Sequence, residues 1–129
     1  MAMERFLWIC LAGALGSGAR YLVSGWVQER AAVAFPAGTL AVNVSGSFLI
    51  ACILHVGMNT TVLAPGLRVA LVTGFVGGFT TYSAFNYETT RLLEENQTLL
   101  ASLNVAATFV GCFVAGLLGR GLGKWMVGD

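Results

Sequence analysis

Thr73-Gly74-Phe75-Val76-Gly77-Gly78-Phe79-Thr80-Thr81-Tyr82-Ser83-Ala84-Phe85 places glycines and hydroxyls inside a segment otherwise long and apolar enough to cross a membrane. A plain lipid anchor has no use for them. Glycine tolerates backbone conformations that a helix forbids, and in hydrocarbon any carbonyl released from the helical ladder has to meet protein, water or an ion. The stretch is therefore a candidate ion site at bilayer depth.

The rest of the chain suits that medium. Of its 129 residues, 57% are hydrophobic and 10% charged, against about 25% charged in soluble domains, and the mean hydropathy is +0.78. This length predicts one domain, residues 1–129, with room for about four spans of roughly 20 residues and little else. With Pro36 and Pro65 as punctuation, the spans are expected from about Phe6 to Trp26, Thr39 to Met58, Leu67 to Leu93 and Leu99 to Trp125. The first is too long for the apolar core of a cleaved signal, despite Ala12-Gly13-Ala14, and its retention is expected. The expected fold class is an all-α membrane protein of four transmembrane helices, multi-pass in the cell (inner) membrane.

Basic residues barely favour either end. Arg5, Arg68, Arg120 and Lys124 fall on one side, and Arg20, Arg30 and Arg91 on the other. Orientation follows an excess of Lys and Arg in short loops, so this balance permits insertion either way up. Four short helices can hardly enclose a pore alone, which suggests a homodimer, and weak bias would let its copies lie antiparallel. Small residues recur at four-residue intervals at Ala107, Gly111, Ala115, Gly119 and Gly123, and again at Gly13 with Ser17 and Ala14 with Gly18. Such rows let helix backbones approach closely in lipid, either within one protomer or at a dimer seam.

Polar residues at membrane depth need partners or a task. Asn43 and Ser47 share one helix face, as do Thr108 and Cys112, and the third span adds Thr80, Thr81, Ser83, Asn86 and Glu88. Serine and threonine commonly bond their own helix four residues back. The Asn43 amide is harder to satisfy locally, so it serves an interhelical bond or lines a pore. Glu88 is either a polar partner for nearby hydroxyls or an acid at a helix end. No Asp lies in any span, which argues against a cation path ringed by carboxylates. Amides, hydroxyls and the positive ring edges of Phe75, Phe79, Tyr82, Phe85, Phe109 and Phe113 suit an anion instead.

Competing classes fit less well. A small dual-topology multidrug exporter has the same span count and charge balance, but it needs an acidic residue in its first span, and Phe6 to Trp26 has none. A non-conducting scaffold would explain the packing glycines but not the polar residues beside them. His55 stands alone near the end of the second span and is expected to meet the interface rather than a metal, and Cys10, Cys52 and Cys112 occupy separate apolar spans without a Cys-x-x-Cys motif, so buried, unreactive thiols are expected. No nucleophile, base and orienting group recur together as in an enzyme, and no nucleic-acid partner is expected.

The residues resemble the small fluoride channels of the Fluc, or CrcB, family. The family pattern T-G-F-x-G-G-x-T-T-F-S-T-F is matched by Thr73 to Phe85, and further likeness lies in Gly38-Thr39-Leu40 with Asn43, in Gly18-Ala19-Arg20-Tyr21, and in Leu103-Asn104-Val105 leading to Gly111. The resemblance implies a passive fluoride channel, built as an antiparallel dual-topology homodimer with two pores and a third helix broken at Gly-Gly-x-Thr. It further implies a structural sodium ion on the dimer axis, held by the backbone carbonyls of Gly77 and Thr80. Asn43, Tyr82 and Phe85 would line the pore, with hydroxyls from Ser83 and Thr108, Arg20 in a vestibule and Glu88 on a polar track. Two positions depart from the pattern: Tyr82 stands for the first phenylalanine, and Ala84 for the threonine after Ser83.

Overall fold

In a computed structural model, which describes residues 1–128, the chain is helical apart from short connections. Helix α1 spans Ala2–Ala31 and α2 spans Ala37–Asn59. Next come a short α3 (Pro65–Val69), a π-helical segment (Ala70–Val76) and one turn of α4 (Gly77–Phe79). After a break, α5 (Tyr82–Glu94) leads into α6 (Thr98–Val127). Among the described residues three helices, α1, α2 and α6, are long and apolar enough to cross a membrane. At 30 residues, α1 and α6 are each about 45 Å long, well beyond a hydrocarbon core of about 30 Å. The thiols are less buried than expected: Cys10 lies on the outward side of α1 and is exposed in the protomer, and Cys52 and Cys112 are half-buried.

The connections follow from local chemistry. Gln28 organises the first: its Nε2 donates to the carbonyls of Val33 and Phe35, at 3.0 and 3.1 Å, and its Oε1 accepts from the Gly38 N–H at 3.1 Å. Pro65 sits at the first position of α3, where a missing N–H costs nothing. Arg68 then reaches back, its Nη1 donating to the Gly57 carbonyl near the end of α2.

Close backbone approach holds the bundle together. The π-helical segment lies on α1, and α2 lies most extensively on α6. A Cβ built on Gly16 would overlap the Phe75 carbonyl, and one on Gly119 would overlap the Phe48 carbonyl. The row of small residues on α6 therefore faces α2 within one protomer: Ala115, Gly119 and Gly123 are buried, and a Cβ on Gly123 would come within 2.9 Å of His55. On α1 the two rows diverge. Gly13 and Ser17 face the third segment, whereas Ala14 is exposed and Gly18 has open space around it.

The break after α4 does not use glycine freedom. Gly74, Gly77 and Gly78 all stay helical, and the chain extends at Thr80 (φ −85°, ψ 157°) and Thr81 (φ −153°, ψ 113°). Gly74 and Gly78 serve contact instead, since a Cβ on either would run into α1. The glycines admit the neighbouring helix; the threonines carry the bend.

Candidate ion site at the helix break

Thr81 is gripped from another helix. Its N–H donates to Asn43 Oδ1 at 2.8 Å, and Asn43 Nδ2 donates to its carbonyl at 2.9 Å. The Asn43 side chain thus acts as a substitute strand partner for a single extended residue. Meanwhile Thr81 Oγ1 caps α5 by accepting from the Ala84 N–H at 3.2 Å, and it shares a hydrogen with Ser83 Oγ at 3.1 Å. Of the two roles open to Asn43, the interhelical bond is formed, and one of its two amide hydrogens goes to it.

These bonds redirect two rungs of the helical ladder. In an unbroken helix the Thr81 N–H would close on the Gly77 carbonyl and the Ala84 N–H on that of Thr80. Here Asn43 Oδ1 and Thr81 Oγ1 take them. The break takes the regular donors from the carbonyls of Gly77, Gly78, Phe79 and Thr80, and for Gly77 and Thr80 those donors bond to side chains instead. Gly78 is served otherwise: Arg20 Nε donates to its carbonyl at 3.0 Å, and Ser17 Oγ lies 3.5 Å away. Thr80 Oγ1 bonds back to the Val76 carbonyl at 3.0 Å, as helical threonines commonly do. Among the described residues no group of three His, Cys, Asp or Glu side chains could hold a metal, so a cation here would rely on backbone oxygens. The diverted carbonyls fit that demand, at the negative end of α4.

Beside the break lies a cavity of about 400 Å³ that brings together Asn43, Ser47, Tyr82, Phe85, Thr108 and Cys112. Both helix-face pairs read from spacing meet there. The Tyr82 and Phe85 rings are 5.5 Å apart at 54°, and Phe109 meets Phe85 edge-on at 6.4 Å and 74°. Phe85 is 5% exposed in one protomer and Tyr82 is 71% exposed, so the two rings have different surroundings despite their proximity. Ser83 does not line this cavity; it is exposed, with its hydroxyl against that of Thr81. Ser47 spends its hydroxyl on the Asn43 carbonyl at 2.8 Å.

A second cleft, of about 640 Å³, holds Arg20, Thr39, Ala84, Glu88 and Arg91 and shares Thr81 with the first. Thr39 Oγ1 donates to Glu88 Oε1 at 2.7 Å, while Glu88 Oε2 is buried with no hydrogen-bond partner among the described residues. Glu88 is accordingly a hydroxyl's partner, the first of its two sequence readings. Arg20 borders the cleft but also caps the broken helix. Ala84 lines the cleft, so the hydroxyl missing relative to the family pattern is missing from this wall.

Two residues that the sequence did not mark for the site support it. Both were visible only as parts of a motif, yet Thr39 orients Glu88. Asn104, 1% exposed, donates Nδ2 to Thr89 Oγ1 at 2.9 Å, and that hydroxyl donates to the Phe85 carbonyl at 2.7 Å. A polar relay therefore ties the backbone of Phe85 to α6. The available signal was an amide inside an apolar helix, the same signal that singled out Asn43.

Fold and site define a class: a small helical multi-pass membrane protein with an unwound segment clamped beside a cavity of uncharged donors and ring edges. Residues 7–120 match the family model described as CrcB-like protein, Camphor Resistance (CrcB). A "Fluoride-specific ion channel FluC" of Anaeromyxobacter sp. (strain K) is 49% identical over 126 residues, covering 98% of this chain and 100% of the relative. Proteins bearing the same name from Sorangium cellulosum (strain So ce56), 49% identical over 97% of this chain and 98% of the relative, and from Geobacter sulfurreducens, 50% identical over 87% and 90%, are also similar. The chain belongs to the CrcB family, whose relatives here are named as channels rather than enzymes.

Proposed function

We propose that this protein is a fluoride-selective channel that lets fluoride leave the cell passively. The observation that carries this reading is the cavity uniting Asn43, Tyr82, Phe85 and Thr108 beside the break. Bare fluoride is small and strongly hydrated, so a path must replace its water with donors none of which holds it too tightly. Amide, hydroxyl and ring-edge donors in an uncharged cavity meet that requirement, and the N-terminal end of α5 adds a favourable dipole. Ser83 would join the path outside this cavity, Arg20 would attract anions to the neighbouring cleft, and Glu88 with Thr39 would form a polar track there.

In this proposal the chain makes four passes, the third comprising Pro65–Phe79 and Tyr82–Glu94 with the break between them. Two copies would pair antiparallel, with dual topology and one pore beside each break. The nearly even Lys and Arg distribution supports such pairing, and so does the small-residue row at Ala14 and Gly18, left unpacked within the protomer. A structural sodium ion would sit where the Gly77 and Thr80 carbonyls of both copies converge. It would neutralise four inward carbonyls and hold the copies together.

Purified protein in liposomes should release fluoride down its gradient at the same rate with and without a proton gradient, while chloride stays inside. Proton-driven release, or equal passage of chloride, would sink the reading. Sodium has its own readout. Exchanging it for N-methyl-D-glucamine should lower the melting temperature of the detergent-solubilised protein and shift it toward monomer on size exclusion, with recovery on adding sodium back. Indifference to sodium in both measurements would remove the ion from the proposal.

A further inference from the structure

Most arginines of this chain are committed. Arg20 and Arg68 donate to the carbonyls of Gly78 and Gly57, Arg91 Nε lies 3.3 Å from Glu95 Oε1, and the Arg30 guanidinium lies 4.1 Å above the Trp26 ring. Arg120, like Arg5, is not among them. It is exposed, and the hydrogen bonds and ion pairs of the described residues do not include it. It lines a groove of about 680 Å³ together with His55, Met58 and Asn59.

That groove is not separate from the candidate site. Ser47, Ile50 and Cys112 line both it and the cavity of Asn43 and Phe85, which in turn shares Thr81 with the cleft of Arg20 and Glu88. The order along α2 gives the direction: Thr39 borders the cleft, Asn43 to Ile50 the cavity, and His55 to Asn59 the groove. From Thr39 to Asn59 a helix rises about 30 Å, close to the thickness of a hydrocarbon core. Three adjoining hollows therefore run the height of the molecule, with an arginine at each outer end and no charged side chain lining the middle one.

We infer that Arg120 forms a second anion-gathering mouth, at the end of the path opposite Arg20, so that fluoride is captured from either side; this rests on the channel reading above. A passive path fills from both ends. A hollow with low-dielectric walls and one sign of charge focuses the field into its mouth and raises the capture rate of a counter-ion by about 10 to 10³ at low ionic strength. The bound Arg20 and the unbound Arg120 differ accordingly. Arg20 lends charge while fixed to the break, whereas Arg120 is held only by its own helix.

The test compares fluoride efflux from neutral phosphatidylcholine liposomes for the wild type, Arg120→Glu, Arg120→Lys, Met58→Glu and Arg5→Glu. At low ionic strength, Arg120→Glu should lower the initial rate to about half, since in an antiparallel pair one of the two pores still fills from inside through its Arg20 end, and Arg120→Lys should keep most of it. Adding an impermeant salt to about 1 M, where the Debye length is about 3 Å, should close most of the deficit. Met58→Glu adds an acid to the same groove at an exposed position, and should act in the same direction even if Arg120→Glu folds poorly. Arg5 lies on the same side of the bundle but lines a different hollow, and Arg5→Glu should match the wild type. Wild-type rates in both groove variants, equal losses in the Glu and Lys variants at both salt levels, or an equal loss in Arg5→Glu would each overturn the inference. A wild type that passes no fluoride would overturn the channel reading itself, a result distinct from a conducting wild type indifferent to Arg120.

Discussion

Fluoride efflux through Asn43→Asp should fall at least about a hundredfold below wild type, equivalent to roughly 2.7 kcal/mol on the barrier. The substitution is nearly isosteric, and one carboxylate oxygen can still accept from the Thr81 N–H. The other oxygen, however, replaces the Nδ2 that donates to the Thr81 carbonyl at 2.9 Å. Two acceptors would then face each other at a site where Asn43 is only 8% exposed. Leaving buried polar groups unpaired costs about 1–3 kcal/mol, and more when one is charged. The new negative charge would also line the cavity through which the anion is proposed to move. Asn43→Ser separates the two effects, because it loosens the clamp without adding charge and should retain more flux. Undiminished efflux in a monodisperse Asn43→Asp protein would remove Asn43 from the path.

The second large effect is on assembly. Gly119→Ala should destabilise the solubilised protein by at least the upper part of the roughly 1–3 kcal/mol that overpacking costs, seen as a lower melting temperature and poor recovery on size exclusion. The added methyl would overlap the Phe48 carbonyl, a backbone atom that cannot turn aside as a side-chain end can. Since α2 and α6 form the most extensive contact in the fold, α6 must tilt or slide to admit it. Two residues on, a Cβ at Gly121 meets nothing within 4 Å, so Gly121→Ala should melt like the wild type. Equal melting of Gly119→Ala and Gly121→Ala would show that α6 does not rest on α2 as described.

The helices α1, α2 and α6 were legible because hydropathy and the Pro36 and Pro65 breaks are local signals, and their ends fall within a few residues of those expected. The position of the break was less legible. Sequence pointed to Gly74, Gly77 and Gly78 because glycine permits distortion, but permission is not cause. The bend is fixed by Asn43, 38 residues away, and no local pattern reports which backbone that amide will meet. The same holds for Arg20, whose bond to the Gly78 carbonyl depends on α1 lying against the turn of α4. Spacing did bring Asn43, Ser47, Thr108 and Cys112 to one cavity, because both pairs lie on helices whose facing sides the small residues of α6 dictate. It could not show that Ser83 turns outward from the same short helix start.

Gly16 against Phe75 and Gly119 against Phe48 carry one more consequence, for how freely this sequence can drift. At both contacts a glycine Cα–H occupies the direction in which a Cβ would strike a carbonyl oxygen, the arrangement of a weak Cα–H···O bond. Such adhesion is written in main-chain atoms and needs no particular large side chain. Outward residues such as Leu11, Leu15 and Leu118, all more than half exposed in the protomer, add little to the two contacts. Where they meet only lipid, exchange among apolar types should be nearly silent, leaving a handful of glycines to bear most of the mutational intolerance of the bundle.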